Sequence, residues 1–401
     1  MKWKFRGIIL KLQPTSLHER VEAIDLMRGF SLLGILLINM LAFHTPLSYI
    51  DPYKWFSGNT DQAIFTGLDI FVQASFYPLF AMLFGYGLMM QFLKAEKIGQ
   101  SFMPIAVKRL LVLLAFGIIH AFLIWYGDIL ITYAIMGLLL IGMLRLPAGW
   151  LLGLGVLLYA LPHLLFTAIM FMAVMVDPNI YIGYQEAERS ITAYQSGSFA
   201  EIFSRRLTDW YYVNNPFSFI VLVITILPLM MVGAAAAKWR MIELAAEKRK
   251  TWLVLAITTL SVGLLLKSVP YLFDKNYAYQ YVQEIFGGPL VAIGYAAVIA
   301  LLSQAAGFRK AMSPLIKVGR MSMTTYITQS ILATMIFYSF GFGLYGQVDL
   351  LTGTLIALGI FAIQLIFAEL WFAKFQRGPI EMLWRRWTYG NNFEKSNNSK
   401  R

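Results

Sequence analysis

Ten stretches of this chain are long and apolar enough to cross a lipid hydrocarbon layer as α-helix, which takes about 20 residues each. They run 28–46, 66–92, 107–125, 129–145, 149–176, 217–237, 251–271, 285–303, 320–340 and 350–373. The fourth is short, and its limits come from two turn signals, Gly127-Asp128 on one side and Arg145-Leu146-Pro147 on the other. Composition agrees, since 59% of the residues are hydrophobic and 13% charged, against about 45–50% and 25% in soluble domains. The expected fold is an all-α polytopic membrane protein. With no cysteine and four scattered histidines, thiolate nucleophiles, zinc ribbons and metal clusters at standard spacing are excluded. Gly-rich phosphate loops, HExxH and GxSxG are absent as well.

Basic residues near span ends are retained in the cytoplasm, so the Lys/Arg distribution orients the bundle. With the N-terminus inside, inner segments hold 27 of the 33 basic residues and 9 of the 21 acids, so they carry +18 and the outer segments −6. The net charge of +12 is thus a topology signal with a component for anionic lipid or ligand, which argues against nucleic acid. Both termini are expected in the cytoplasm. Residues 1–19 read as an interfacial segment without a signal-peptide cleavage site, and 20–373 as one transmembrane domain. Within it, the outer loop 177–216 mixes aromatics with charges and reads as amphipathic helices in an aromatic belt, the alternative being a cap over an outward-opening site. Residues 374–390 read as an amphipathic interfacial segment and 391–401 as a disordered tail.

Ionisable and amide groups inside spans must be satisfied by protein or by cavity water, so they point to sites. In RVEAIDLMRG, Arg20, Asp25 and Arg28 precede the first apolar run; Asp25 and Arg28 share a helix face and can pair. Two inner arginines can also hold a phosphate-bearing ligand. Asn39 follows Arg28 by eleven residues, about 16 Å along the helix, as interhelical glue or as a donor to a ligand carbonyl. His44 lies near the outer surface. His120 stands in the third span, eight residues before Asp128 in the turn, so a fold-back can bring Asp128 and Tyr133 to it. A histidine oriented by a carboxylate is the usual geometry of a general base; equally, Asp128 can simply cap the next helix. Gln329 sits among Thr324, Thr325, Tyr326 and Thr328, which predicts a central ninth span, and Arg320 at its start is an anchor or a phosphate ligand. His163 after Pro162 reads as structural, Lys267 as snorkelling to the outer face, and Glu369 as reaching inward or pairing with Lys374.

The blocks RVEAIDLMRGFSLLGILLINM, FYPLFAMLFGYGL, GIIHAFLIWYGDILITYAIMGLL, VGRMSMTTYITQS and RGPIEMLWRRWTYG resemble, in order, those of the bacterial YeiB-like membrane proteins, domain-of-unknown-function family 418. That family is similar to the wider transmembrane acyltransferase group, which shares a first-span pattern of Asp, Arg-Gly and an outer-half Asn, matched here by Asp25, Arg28, Gly29 and Asn39. The resemblance implies a cytoplasmic acyl-CoA, such as acetyl-CoA, whose pantetheine arm enters the bundle. Inner arginines would hold its phosphates, Asn39 would polarise the thioester, and an outer-half histidine would deprotonate a hydroxyl or amine acceptor. The group's glucosamine acetyltransferase carries its histidine eleven residues beyond the Asn, where this chain has Ile50. Either His44 substitutes or His120 takes the role, and HAFLIWYGDIL favours His120.

Two functions fit. One is a transmembrane acyltransferase in a bacterial inner membrane, with Arg20, Arg28 and Arg320 at the donor, Asn39, His120 and Asp128 at the reacting end, and Asp25, Tyr133, Gln329 and His44 around the pocket. The other is a transporter or flippase with a His120–Asp128 proton relay. A membrane scaffold is the third and plainest alternative. Partners admitted are membrane lipids, an extracytoplasmic small-molecule or glycan acceptor, and further copies of the chain; no metal is expected.

Overall fold

The computed structural model describes residues 21–177 and 184–389. Arg20, the interfacial segment 1–19, residues 178–183 of the outer loop and the tail from residue 390 lie outside the described residues. Described residues with regular structure are all helical. The principal helices are α1 (Glu22–His44), α2 (Asn59–Phe71), α3 (Phe76–Lys97), α4 (Met103–Ile119), α5 (Leu130–Met143), α6 (Ala148–Val176), α7 (Tyr184–Ser196), α8 (Phe199–Asn214), α9 (Pro216–Lys238), α10 (Arg249–Lys267), α11 (Tyr277–Val282), α12 (Gly288–Leu302), α13 (Ser313–Arg320), α14 (Ser322–Phe337), α15 (Leu350–Lys374) and α16 (Pro379–Tyr389).

Eight helical stretches among the described residues are long and apolar enough to cross a membrane, so the chain is an all-α polytopic membrane protein. Two expected spans fall short of that length. The fourth is α5, of 14 residues, and the ninth is broken at Met321 (φ −119°, ψ 41°) into α13 and α14. The second span is a broken rod, α2 and α3 meeting at Ala74 in a left-handed conformation (φ 54°). Two further helices carry π turns, His120–Ile124 after α4 and Gln283–Gly287 between α11 and α12.

Packing explains which helices are central. Most of α1 is buried, whereas α6 buries only Leu151, Gly155 and His163 and is peripheral. Helix α1 packs on α13, α3, α14 and α15. Two crossings depend on reciprocal glycines. A Cβ on Gly29 would meet the Leu315 carbonyl oxygen at 2.1 Å and one on Gly319 the Asp25 oxygen at 1.7 Å; Gly85 and Gly233 stand likewise against Met230 and Met82, joining α3 to α9. Small residues let helix backbones touch where lipid supplies no hydrophobic drive.

Polar side chains knit the rest. His163 bonds Tyr281 (2.7 Å) and Thr225 (3.1 Å), a structural link as expected. Glu369 pairs with Lys317 rather than Lys374, because the broken ninth segment brings α13 alongside α15. Lys267 does not snorkel: it is fully buried, and its ammonium donates to the Gln73 carbonyl (2.8 Å) at the α2–α3 break. Beside it Asp69 accepts from Tyr53 (2.7 Å) and Tyr271 (2.8 Å), and Gln73 donates to Glu284 (2.9 Å).

Candidate functional site

A cavity of about 150 Å³ opens at the end of the bundle where α1 begins. Its mouth is lined by Arg28, Arg109, Arg320 and Arg385, with Gln91 and Glu381, and its inner wall by Tyr133, Tyr326, Ile129 and Leu130. Each guanidinium is positioned by a different element. Arg28 lies 3.4 Å from Asp25 one turn back on α1, the expected pair, and Gly87 leaves it room, since a Cβ there would stand 3.1 Å from its Nη2. Arg109 on α4 bonds Gln91 and stacks on Trp384 (4.3 Å), whose indole donates to the Arg109 carbonyl (3.1 Å). Arg320 ends α13 and lies over Phe372 (4.4 Å). A stacked arginine is pre-oriented and presents its donors edge-on, which suits phosphate. The buried Glu381 carboxylate accepts from the Met323 (2.8 Å) and Thr324 (3.1 Å) amides and the Thr324 hydroxyl (2.6 Å), capping the broken helix. Burial pushes its carboxyl above the ordinary 4.5, against those bonds.

Beyond the inner wall lies a hydrogen-bonded line of three side chains. His120 Nδ1 is 2.8 Å from Asp128 Oδ1, and His120 Nε2 is 2.8 Å from Ser330 Oγ. His120 and the Asp128 side chain are wholly buried. Asp128 Oδ2 accepts from the Ile131 amide (2.7 Å), so this carboxylate both holds the histidine and caps α5. With Nδ1 donating to Asp128, Nε2 is left as the basic nitrogen. Tyr326 connects the line to the cavity: it faces the void, its ring lies 5.0 Å from the imidazole, and its hydroxyl donates to the Gly127 carbonyl (3.2 Å). The π turn makes this geometry, because one extra residue in the turn swings Trp125 out of helix while its amide still bonds the His120 carbonyl (2.8 Å).

The other expected site residues divide. Tyr133 lines the cavity but donates to the Tyr77 carbonyl (3.1 Å). Gln329 bonds Gln364 (3.0 Å), joining α14 to α15. His44 is buried at the far end of α1, its Nδ1 donating to the Met40 carbonyl (2.5 Å) and its ring against Gly353. Asn39 is partly exposed and outside the cavity lining. Sequence reasoning misses Ser330, Arg109, Arg385 and Glu381. Ser330 closes the quoted block VGRMSMTTYITQS, yet its histidine is 210 residues away. Loop 177–216 reads in sequence as a belt; its exposed Glu188, Arg189 and Glu201 face outward, while α8 turns Arg205, Arg206 and Asp209 inward.

The family model described as "Protein of unknown function (DUF418)" matches residues 236–391. The uncharacterized protein YxaH of Bacillus subtilis (strain 168) is 34% identical over 392 residues, covering 94% of this chain and 96% of that protein. An uncharacterized 39.9 kDa protein in the amylase 3′ region of Bacillus acidopullulyticus is 30% identical over 95% of this chain and 97% of its own length. The uncharacterized protein YeiB of Escherichia coli (strain K12) is 28% identical over 92% of this chain and 96% of its own length.

Proposed function

We propose, from the premise that this chain belongs to the DUF418 family, that it is an acyl-CoA-dependent transmembrane acyltransferase of a bacterial inner membrane. The observation that carries this is the cavity running from four arginines to Tyr326, whose ring packs on a carboxylate-held histidine. An anion-binding mouth, with a buried base one aromatic ring beyond the inner wall, suits a long polyanionic donor with its reactive group at the far tip. On this reading both termini are cytoplasmic, following the Lys/Arg bias of the segments at the mouth.

Arg28, Arg109, Arg320 and Arg385 take the donor's phosphates, and the pantetheine arm runs toward Tyr133 and Tyr326. His120 removes the proton of the acceptor hydroxyl or amine through Nε2, and Asp128 stabilises the imidazolium. The acceptor oxygen or nitrogen bonds to the acyl carbon, the carbon–sulfur bond breaks, and the leaving thiolate of CoA takes the proton from His120. Asn39 has no part in this scheme: it is partly exposed and outside the cavity lining, whereas His120, also outside it, packs on the lining residue Tyr326.

The test is acetyl-CoA binding and free CoA release by the detergent-purified protein. Wild type is expected to be stabilised by acetyl-CoA and to release CoA, Arg28→Ala to lose binding, and His120→Ala to lose release while keeping binding. If acetyl-CoA neither stabilises the wild type nor is cleaved, acyl transfer is overturned; solute movement in proteoliposomes without thioester would then support a transporter with a His120–Asp128 relay.

A further inference from the structure

Arg206 on α8 is one of the largest fully buried side chains of the described residues, at 1% exposure. One of its nitrogens is accounted for: Nη1 donates to the Phe122 carbonyl (2.9 Å), inside the π turn that begins at His120. Its Nε and Nη2 are buried without a hydrogen-bond partner, and among the described residues no acid pairs with it. These two nitrogens form the edge that grips a carboxylate or phosphate with two parallel bonds.

The neighbouring charges are already committed. Arg205 pairs with Glu186 (2.5 Å) and with Asp209 (2.6 Å). Asp209 also accepts from Tyr49 (2.8 Å) and Tyr194 (2.6 Å), so its oxygens are occupied. The π turn ends at Trp125, whose Nε1 is likewise buried without a partner, as is the Tyr345 hydroxyl. Guanidinium and indole are donor-only groups, so whatever satisfies them must offer acceptors. A buried cation whose fork has no partner among the described residues is costly unless something negative completes it.

We propose that Arg206 is an anion-binding site that holds the carboxylate or phosphate of the acyl acceptor within about one helical turn of His120. As a statement about the acceptor this rests on the acyl-transfer proposal; as a statement about anion binding it does not. The acceptor class is therefore acidic: a hydroxyl or amine on the same small molecule, or lipid headgroup, as an oxyanion. Arg206 fixes the anion, and the nucleophilic group is presented to Nε2.

The test measures thermal stability of the purified full chain without any thioester. Inorganic phosphate, glycerol 3-phosphate and neutral glycerol are titrated, and phosphatidylglycerol in the micelle forms a lipid arm. Because the arginine-lined mouth also binds phosphate, wild type, Arg28→Ala and Arg206→Gln are compared. Expected is an anion-dependent upward shift that persists in Arg28→Ala, is lost in Arg206→Gln, and is not produced by glycerol. Trp125→Phe is expected to weaken glycerol 3-phosphate about tenfold, the worth of a hydrogen bond to a charged group. If Arg206→Gln does not fold, Arg206→Lys, which keeps charge without the fork, and Trp125→Phe carry the comparison. A response confined to the lipid arm assigns the anion to a headgroup, and one confined to soluble anions assigns it to a free acceptor. A shift equal in wild type and Arg206→Gln, a shift abolished by Arg28→Ala alone, or no shift in the wild type overturns the site. Arg206-dependent binding without acetyl-CoA cleavage would keep the site and retire acyl transfer, and cleavage without such binding would do the reverse.

Discussion

The π turns at His120–Ile124 and Gln283–Gly287 invite comparison, because each interrupts a helix beside buried ionisable groups. At the second, Lys267 and Asp69 are enclosed by partners: a backbone carbonyl for the ammonium, two tyrosine hydroxyls for the carboxylate, and Gln73 for the nearby Glu284. At the first, His120 is held on one nitrogen by a carboxylate and touched on the other by a single hydroxyl, with a ring between it and an open void. Helix irregularity and buried charge are common to both. What separates them is access: His120 lies one aromatic ring from the cavity with a neutral hydroxyl on Nε2, while Lys267 and Asp69 are absent from the cavity lining and held by fixed partners. The first arrangement is expected to act in chemistry and the second in stability.

That contrast can be broken by substitution. The largest effect is expected from His120→Ala, which should slow CoA release by about 10²–10⁴-fold, the usual worth of a general base, with acetyl-CoA binding kept; a variant that loses binding equally would make His120 structural. Next is Lys267→Met, which removes a buried ammonium bonded to the Gln73 carbonyl and should lower unfolding stability by about 1–3 kcal/mol. Its CoA release per folded molecule should stay within about twofold of wild type; a selective loss of release would move the second π turn into the mechanism. Ser330→Ala sharpens the first side. Losing the neighbour of Nε2 should change release about tenfold, as one hydrogen bond would, seen as an altered pH–rate profile rather than altered folding.

The smallest effect concerns Glu381, whose carboxyl lies above 4.5 because of burial. A raised acid binds its proton more tightly in the folded state, so its contribution to stability falls as pH climbs from 4.5 through the raised value. Glu381→Gln should flatten that segment of the unfolding-temperature curve by a few degrees at most, and an unchanged slope would show that the carboxylate is not responsible.

Most of the span pattern is legible in the sequence because apolar length is a local property. Residues 217–237 and 350–373 are continuous runs and form α9 and α15. The interruptions are not legible, since they answer to distant neighbours: Ala74 turns where its carbonyl meets Gly288, across 214 residues of chain. Similarly, His120 and Asp128 can be paired from spacing because they flank one turn, whereas Ser330 arrives from another helix. Lys267 defeats the snorkelling expectation because a lysine near a span end ordinarily reaches water, and only the α2–α3 break offers it a carbonyl instead. The tail block RGPIEMLWRRWTYG reads as interfacial, and α16 indeed carries Trp384 and Trp387; Trp387 stacks on Phe116 (5.3 Å), while Trp384 stacks on Arg109 and forms part of the cavity wall.

The reciprocal glycines of α1 and α13 have a kinetic consequence. With Gly29 on the Leu315 carbonyl and Gly319 on that of Asp25, these two helices have no slack between them, and Arg28 and Arg320 must travel as one jaw. The facing jaw, α4 with α16, is joined by an indole bond and ring stacking, contacts that slide and re-form easily. On the acyl-transfer proposal, widening of the mouth falls to the α4–α16 side, so loosening Trp384 should accelerate acetyl-CoA exchange, while the spacing between Arg28 and Arg320 would work as a fixed gauge for the donor.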